Sequence, residues 1–345
     1  MKVIYLPVTH TQKLNEKAFF DTGEVSDLKV DVRGVVDGKV YQRFFRALFT
    51  KYKLSDYDVV VTSEFYVALA TCLRLVFSGS NVRHVIIGLN QSSYIPTKGI
   101  LRAIVTKLFE KVNAVVVHSI LERKMFSELY SIPLGKITFL HWGFDLPSVN
   151  SVKFDTMSRP YIALIGRNNR DVSFFINAMS RIEGLDGIVI TSKANVTNEV
   201  IPENVHLYTD LPMDDCLNCM QNSLLNAIIL NDDSRGAGHI TLVASMMMGK
   251  PQIFTKAKAI AEYCENSVHG FSLENKTFEC FEHAIKKALN VECYDFLSNN
   301  AKEMAGKYFT NQVFSESVKK IIVGDKSIEE IDIKWFSECQ ERKIK

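Results

Sequence analysis

The stretch AIILNDDSRGAGHITLVASMMMGKPQIFT, Ala227 to Thr255, decides how the chain is read. An apolar run without alternation, Ala227–Asn231, enters a polar, glycine-rich turn. A helix-length apolar segment follows, and a second short apolar run, Pro251–Thr255, closes the unit. Strands that are apolar at every position are buried on both faces, as in a parallel sheet, and parallel neighbours need a crossover such as the helix between these two runs. In the turn, Gly236 and Gly238 let the backbone approach a ligand closely, and Thr241 adds a hydroxyl in the first turn of the helix. Unpaired N–H groups and the dipole of a helix beginning there favour an anion. The run Met246-Met247-Met248 reads as packing behind the turn.

The same unit recurs along the chain. KVIYLPV at the start, DVVVT (Asp58–Thr62), HVIIG (His84–Gly88), AVVVH (Ala114–His118) and ITFLHWG (Ile137–Gly143) are separated by segments with apolar residues three and four apart. The pattern breaks over FDLPSVNSVKFDTMSRP, Phe144 to Pro160, which reads as a linker. It then restarts with YIALIG (Tyr161–Gly166), GIVIT (Gly187–Thr191) and VHLYT (Val205–Thr209), ahead of the two runs already quoted. From about Thr277 the chain reads as successive helices. The expected fold is therefore α/β: two tandem Rossmann-like, doubly wound parallel-sheet domains with a C-terminal helical segment. Residues 1–147 form the first domain and 148–324 the second, and 325–345 form a helix packing back on the first. Open parallel sheets bind ligands beyond the carboxyl ends of their strands, so a ligand is expected between the domains.

Bulk properties narrow the class. Two domains of about 150 residues suit the length, and the 41 lysines and arginines against 39 aspartates and glutamates are too even for a dedicated nucleic-acid binder. An anionic ligand must then be held locally. Seven scattered cysteines suit reduced thiols in the cytoplasm, and CLNC, Cys216 to Cys219, lacks a second pair at metal-ligand spacing. The opening residues lack the features of a signal peptide, and no apolar run is long enough to span a membrane. Peripheral association with the inner face of a membrane stays compatible with this. The segment Thr97–Val112 is apolar on one side, but Lys98, Arg102, Lys107 and Lys111 are spread around the rest, which favours core packing over contact with anionic lipid.

The order of segments resembles the GT-B glycosyltransferases, specifically the large retaining group that uses nucleotide-activated sugars (group 1, family 4-like). The likeness lies in three places: NAVVVHSILERKMFSELYSIPLGKITFLHWGFDL (Asn113–Leu146) with its Gly143-Phe144-Asp145 turn, YIALIGRNNRDVSFFINAM (Tyr161–Met179), and the stretch from Ala227 to Leu273 with its GKP strand entry. It covers roughly residues 110 to 320. It implies a hexosyltransferase-type enzyme of surface polysaccharide or glycan biosynthesis, metal-independent and retaining, with no tightly bound cofactor. The donor would be a UDP- or GDP-sugar, and the acceptor a saccharide or lipid-linked saccharide.

The resemblance also implies roles. Gly166, Arg167 and Arg170 would face the donor diphosphate, with Arg167 and Arg170 offsetting charge on the leaving group; Arg170 stands where the family has a lysine. Ala237, His239 and Ile240 accompany Gly236, Gly238 and Thr241 in the phosphate turn. Tyr208, Thr209 and Asp210 would line the base pocket. The family's paired glutamates are replaced by Gly236 (or Arg235) and Ala244, which leaves Asp232 or Asp233 as a carboxylate for the ribose. On the acceptor side, strand ends place His10, Ser63, Glu64, Asn90 and Ser119, with His10 or Glu64 as general base if the reaction inverts. A sugar-nucleotide epimerase of the same architecture, or a catalytically degenerate sugar-nucleotide-binding subunit, stays open as an alternative.

Overall fold

The computed structural model describes residues 1–9, 28–89, 95–196, 200–233, 237–325 and 330–343. It separates into two compact units: residues 1–143 with 311–333, and residues 144–310 with 334–345.

The first unit holds a six-stranded, wholly parallel sheet in the order β3-β1-β5-β6-β7-β8. Its strands are β1 (Lys2–Leu6), β3 (Lys29–Val32), β5 (Val59–Ser63), β6 (Arg83–Ile87), β7 (Ala114–Val117) and β8 (Ile137–Phe139), and β2 (Val8–Thr9) pairs with β4 (Val35–Val36) beside it. Helices α1 (Val40–Phe49), α2 (Phe65–Ser78), α3 (Gly99–Phe109) and α4 (Ile120–Tyr130) connect the strands. Alternate strand residues go to opposite faces. Ile4, Leu6 and Val60 pack with Ala47, Val67 and Leu75 of α1 and α2. Val3, Val59 and Val85 pack with Val318, Ile321 and Ile322 of a later helix, α11 (Asn311–Val323).

The second unit repeats the design in the order β11-β10-β9-β12-β13-β14. Strands β9 (Tyr161–Ile165), β10 (Asp186–Thr191), β11 (Val205–Thr209), β12 (Leu225–Ile228), β13 (Gln252–Thr255) and β14 (Gly270–Leu273) are joined by α5 (Val172–Met179), α6 (Met213–Asn222), α7 (His239–Met247) and the short α8 (Lys258–Ala261). Helices α9 (Phe278–Ala288) and α10 (Val291–Tyr308) follow. The sheet order reverses between β9 and β12, making that pair its switch point.

Two features differ from the sequence reading. Residues 150–155 of the expected linker are fastened within the second unit: Ser151 Oγ donates to Asp215, and Asn218 of α6 accepts from the Phe154 backbone N–H at 2.8 Å and donates to Asp155. The C-terminal helices also change partners. α11, expected in the second domain, belongs to the first unit, because its apolar face completes that sheet and Arg83 donates to the Ile322 carbonyl at 2.9 Å. The last helix, α12 (Glu330–Glu341), was expected on the first domain, but residues 334–345 pack in the second unit. There the fully buried Trp335 ring lies parallel to His269, centroids 5.3 Å apart, and against Phe309. Among the described residues no helix is long and apolar enough to cross a membrane.

Candidate anion site at the switch point of the second sheet

The carboxyl ends of β9 and β12 carry the loops singled out by sequence, and the structure joins them. Asn169, in the left-handed region at φ 54, donates through Nδ2 to the Asp232 carbonyl and accepts the Asp232 backbone N–H on Oδ1. Asn231 Nδ2 donates to the Arg170 carbonyl at 3.0 Å, and Arg170 and Leu230 form an isolated antiparallel bridge. Lys276 reaches in from beyond β14 to pair with Asp171 and to donate to the carbonyls of Leu230 and Asn231. The two loops are thereby held as one rim. On the other flank, Asn195 donates to Thr191 Oγ1, which donates to the Gly166 carbonyl at 2.9 Å.

Arg170 sits inside this rim. Its side chain folds back over the end of β9, where Nε donates to the Ile165 carbonyl at 3.2 Å and a terminal nitrogen donates to the Asn168 carbonyl at 3.0 Å. Arg170 is 5% exposed, and burial alone lowers its pKa to about 10, with no neighbouring charge contributing. At neutral pH it is thus a buried cation without a carboxylate among the described residues. Such a group carries a desolvation penalty that a bound anion would offset.

Both flanking glycines are required by this placement. A β-carbon at Gly166 would lie 2.6 Å from the Arg170 guanidinium, and one at Gly238 would lie 3.2 Å from it. Gly238, at φ 92, is also the N-cap of α7 and has no side chain of its own to cap it. The amides of its first turn have no partners within the helix. A guanidinium and a helix N-terminus that begins at a glycine thus meet at the point where open α/β sheets bind ligands.

The remaining sequence candidates fall around this centre or away from it. Ala237 is buried, and His239 is buried with its ring stacked on Tyr263, centroids 4.3 Å apart. Ile240 is exposed and Thr241 half-buried, while Gly236 lies outside the described residues. Arg167 is exposed, and its carbonyl accepts from Asn195. Asp233 accepts the Lys258 backbone N–H at 3.0 Å and so caps α8. Tyr208, Thr209 and Asp210 end the edge strand β11. The Tyr208 ring packs edge-on against Phe154, and Asp210 accepts the Lys193 backbone N–H. Cys216 and Cys219 lie on α6, where burial pushes both thiols up.

In the first unit, Glu64 follows β5 in a strained backbone conformation, φ 72 and ψ 151. Its carboxylate accepts the N–H groups of Tyr66 and Val67 at the start of α2 and pairs with Arg43 at 3.3 Å. Burial outweighs these contacts and raises its pKa. Ser63 Oγ accepts the Val8 backbone N–H. Ser119 is buried and caps α4 by accepting from the Leu121 N–H at 3.1 Å. His10 and Asn90 lie outside the described residues.

Sequence reading missed Asn169, Thr191, Asn195, Asn231 and Lys276, which build the rim. Their signal was faint: asparagines just past strand ends, where their side chains can satisfy loop backbone groups.

Two successive parallel six-stranded Rossmann-like units followed by helices define the GT-B fold. No protein-family model matches the sequence, and no curated protein matches it. Solved structures do match. HepE from Anabaena, solved with UDP, superposes with a TM-score of 0.71 at 13% identity, over 94% of this chain and 100% of its own. It has also been solved with UDP-glucose and with UDP and glucose. The sucrose-phosphate synthase of Thermosynechococcus elongatus gives a TM-score of 0.69 at 11% identity, covering 93% of this chain and 98% of its own. The lipopolysaccharide outer core galactosyltransferase WaaB gives 0.62 at 11% identity, covering 94% and 99%. At these identities the likeness is one of fold.

Proposed function

We propose that the chain is a glycosyltransferase that moves a sugar from a UDP- or GDP-sugar to a saccharide or lipid-linked saccharide acceptor in glycan biosynthesis. The observation that carries this reading is the buried Arg170 guanidinium, whose hydrogen-bond partners among the described residues are carbonyls, beside the glycine-started N-terminus of α7 at the switch point. A nucleotide diphosphate supplies the missing negative charge.

Arg170 would stabilise the charge that develops on the departing diphosphate, together with the amides of α7 and the exposed Arg167. The ring of Tyr208 and the backbone of Thr209 and Asp210 would border the base, and Asp232 or Asp233 the ribose. The acceptor is assigned to the first unit, with Glu64 at its strand end. Fold likeness alone does not fix the sugar or the stereochemistry; retention and independence from metal rest on the resemblance to the retaining group.

The test is to incubate the protein with UDP- and GDP-sugars, with and without saccharide acceptors, and to analyse products. Transfer or slow release of nucleotide supports the reading. An isomerised sugar nucleotide would identify an epimerase, and saturable binding without turnover a binding subunit.

A further inference from the structure

The helical layer of the first unit carries an exposed apolar surface, in a different unit from the anion site of the second sheet. α1 packs on α2, and α2 on α3. Residues 39–54, 65–83 and 95–109, which contain these helices, have no aspartate or glutamate, although the chain has 39 acids in 345 residues. Of the flanking acids, Asp37 and Glu64 pair with Arg43 and Glu110 with Lys107, while the exposed Asp56 lies just past Lys53.

This acid-free layer is apolar on its outside as well. Tyr41, Phe45 and Phe49, one turn apart on α1, are 54%, 52% and 74% exposed, and the Phe45 and Phe49 rings stack 6.4 Å apart. The inward side of the same helix already supplies Phe44, Ala47 and Leu48 to the core, so the outer aromatic stripe is not needed for folding. Phe77 at the end of α2 is 82% exposed. On α3, only Val105 and Phe109 are buried, while Ile100, Leu101 and Ile104 face outward, against the core packing expected for that segment. Lys39, Lys51, Lys53 and Lys98 are exposed and have no ion pair among the described residues.

We propose that this layer docks on an anionic lipid surface, with the α1 aromatic stripe entering the interface and the lysines meeting the headgroups. Exposed aromatic and aliphatic side chains beside lysines without an ion pair among the described residues, on helices that carry no carboxylate, complement a negatively charged bilayer. The docking does not depend on the transfer reaction.

The test is cosedimentation of the full chain with vesicles of phosphatidylcholine alone and of phosphatidylcholine with phosphatidylglycerol. Binding is expected to the anionic vesicles only and to weaken with added salt. The variant Phe45→Glu/Phe49→Glu is expected to lose at least about tenfold in vesicle affinity, with its melting temperature and nucleotide binding unchanged. Lys51→Glu/Lys53→Glu is expected to remove much of the salt-sensitive part. Equal binding to both vesicle types, no binding, or an undiminished Phe45→Glu/Phe49→Glu variant would overturn the proposal. So would a concentration-dependent dimer that the same double substitution dissolves, which would give the face to a second copy of the chain.

Discussion

The guanidinium of Arg170 occupies the space that a side chain at Gly166 would need, 2.6 Å from the β-carbon position. The obstructing group is the end of a flexible side chain, so Gly166→Ala is expected to displace Arg170, and the backbone at φ 151 adds a strain that lowers the melting temperature without ligand. UDP or GDP should then produce little or none of the rise in melting temperature expected for the parent protein. A full ligand-induced rise in the alanine variant would remove Arg170 from the anion site.

The pKa of Arg170, lowered to about 10 by burial, sets a pH range. On the proposed reading the cationic form binds the anion, so diphosphate affinity is expected to stay level from pH 7 to 9 and fall as the pH rises through about 10. Desolvation disfavours the charge in the empty fold, so Arg170→Met is expected to be at least as stable as the parent without ligand. It should lose nucleotide binding by roughly 1.5–3 kcal/mol, as for a hydrogen bond to a charged group. Calorimetric titration across this range, with melting curves for both proteins, measures each part.

Glu64 combines a helix cap with a backbone conformation that costs about 1–3 kcal/mol for a residue other than glycine. Glu64→Ala keeps the strain and loses the cap, whereas Glu64→Gly loses the cap and relieves the strain. Denaturant unfolding should therefore find the glycine variant more stable than the alanine variant by about 1–3 kcal/mol. If Glu64 also serves the acceptor, both variants lose transfer while keeping nucleotide binding.

Three buried histidines make the fold acid-sensitive. His84 is held near a pKa of about 3, His118 about 4 and His269 about 3, in each case chiefly by burial. In the unfolded chain they protonate near pH 6.5. Their contribution to stability is complete above that value and is lost as the pH falls from about 6.5 toward about 3. Melting temperature should drop over this interval, and less steeply in His84→Gln.

Much of the fold was legible because it rests on patterns that burial enforces. Strands such as Val59–Ser63 and Tyr161–Ile165 are central and mostly apolar and buried, and the sequence marks them nearly residue for residue. The missed strands are at edges. β3, KVDV, alternates polar and apolar because it is only half-buried, and β14, GFSL, is short with small residues. The grouping of Gly166, Arg170 and Gly238 at the switch point was legible in part, since their spacing around strand ends is local. The rim was not, because Asn169 meets Asp232 and Asp171 meets Lys276 across gaps in sequence that no local pattern records. The partners of α11 and α12 were hidden for the same reason: amphipathic spacing reveals an apolar stripe without saying which sheet it covers.

The return of residues 311–333 to the first unit governs how the chain can be made. During synthesis the first sheet emerges early, yet Val318, Ile321 and Ile322, which cover one of its faces, leave the ribosome only after nearly all of the second unit. At about 5–20 residues per second, that face waits uncovered for many seconds on a nascent polypeptide. A translation pause or a premature stop before residue 318 would leave apolar strands bare, which makes this interval the one in which a chaperone has most to protect.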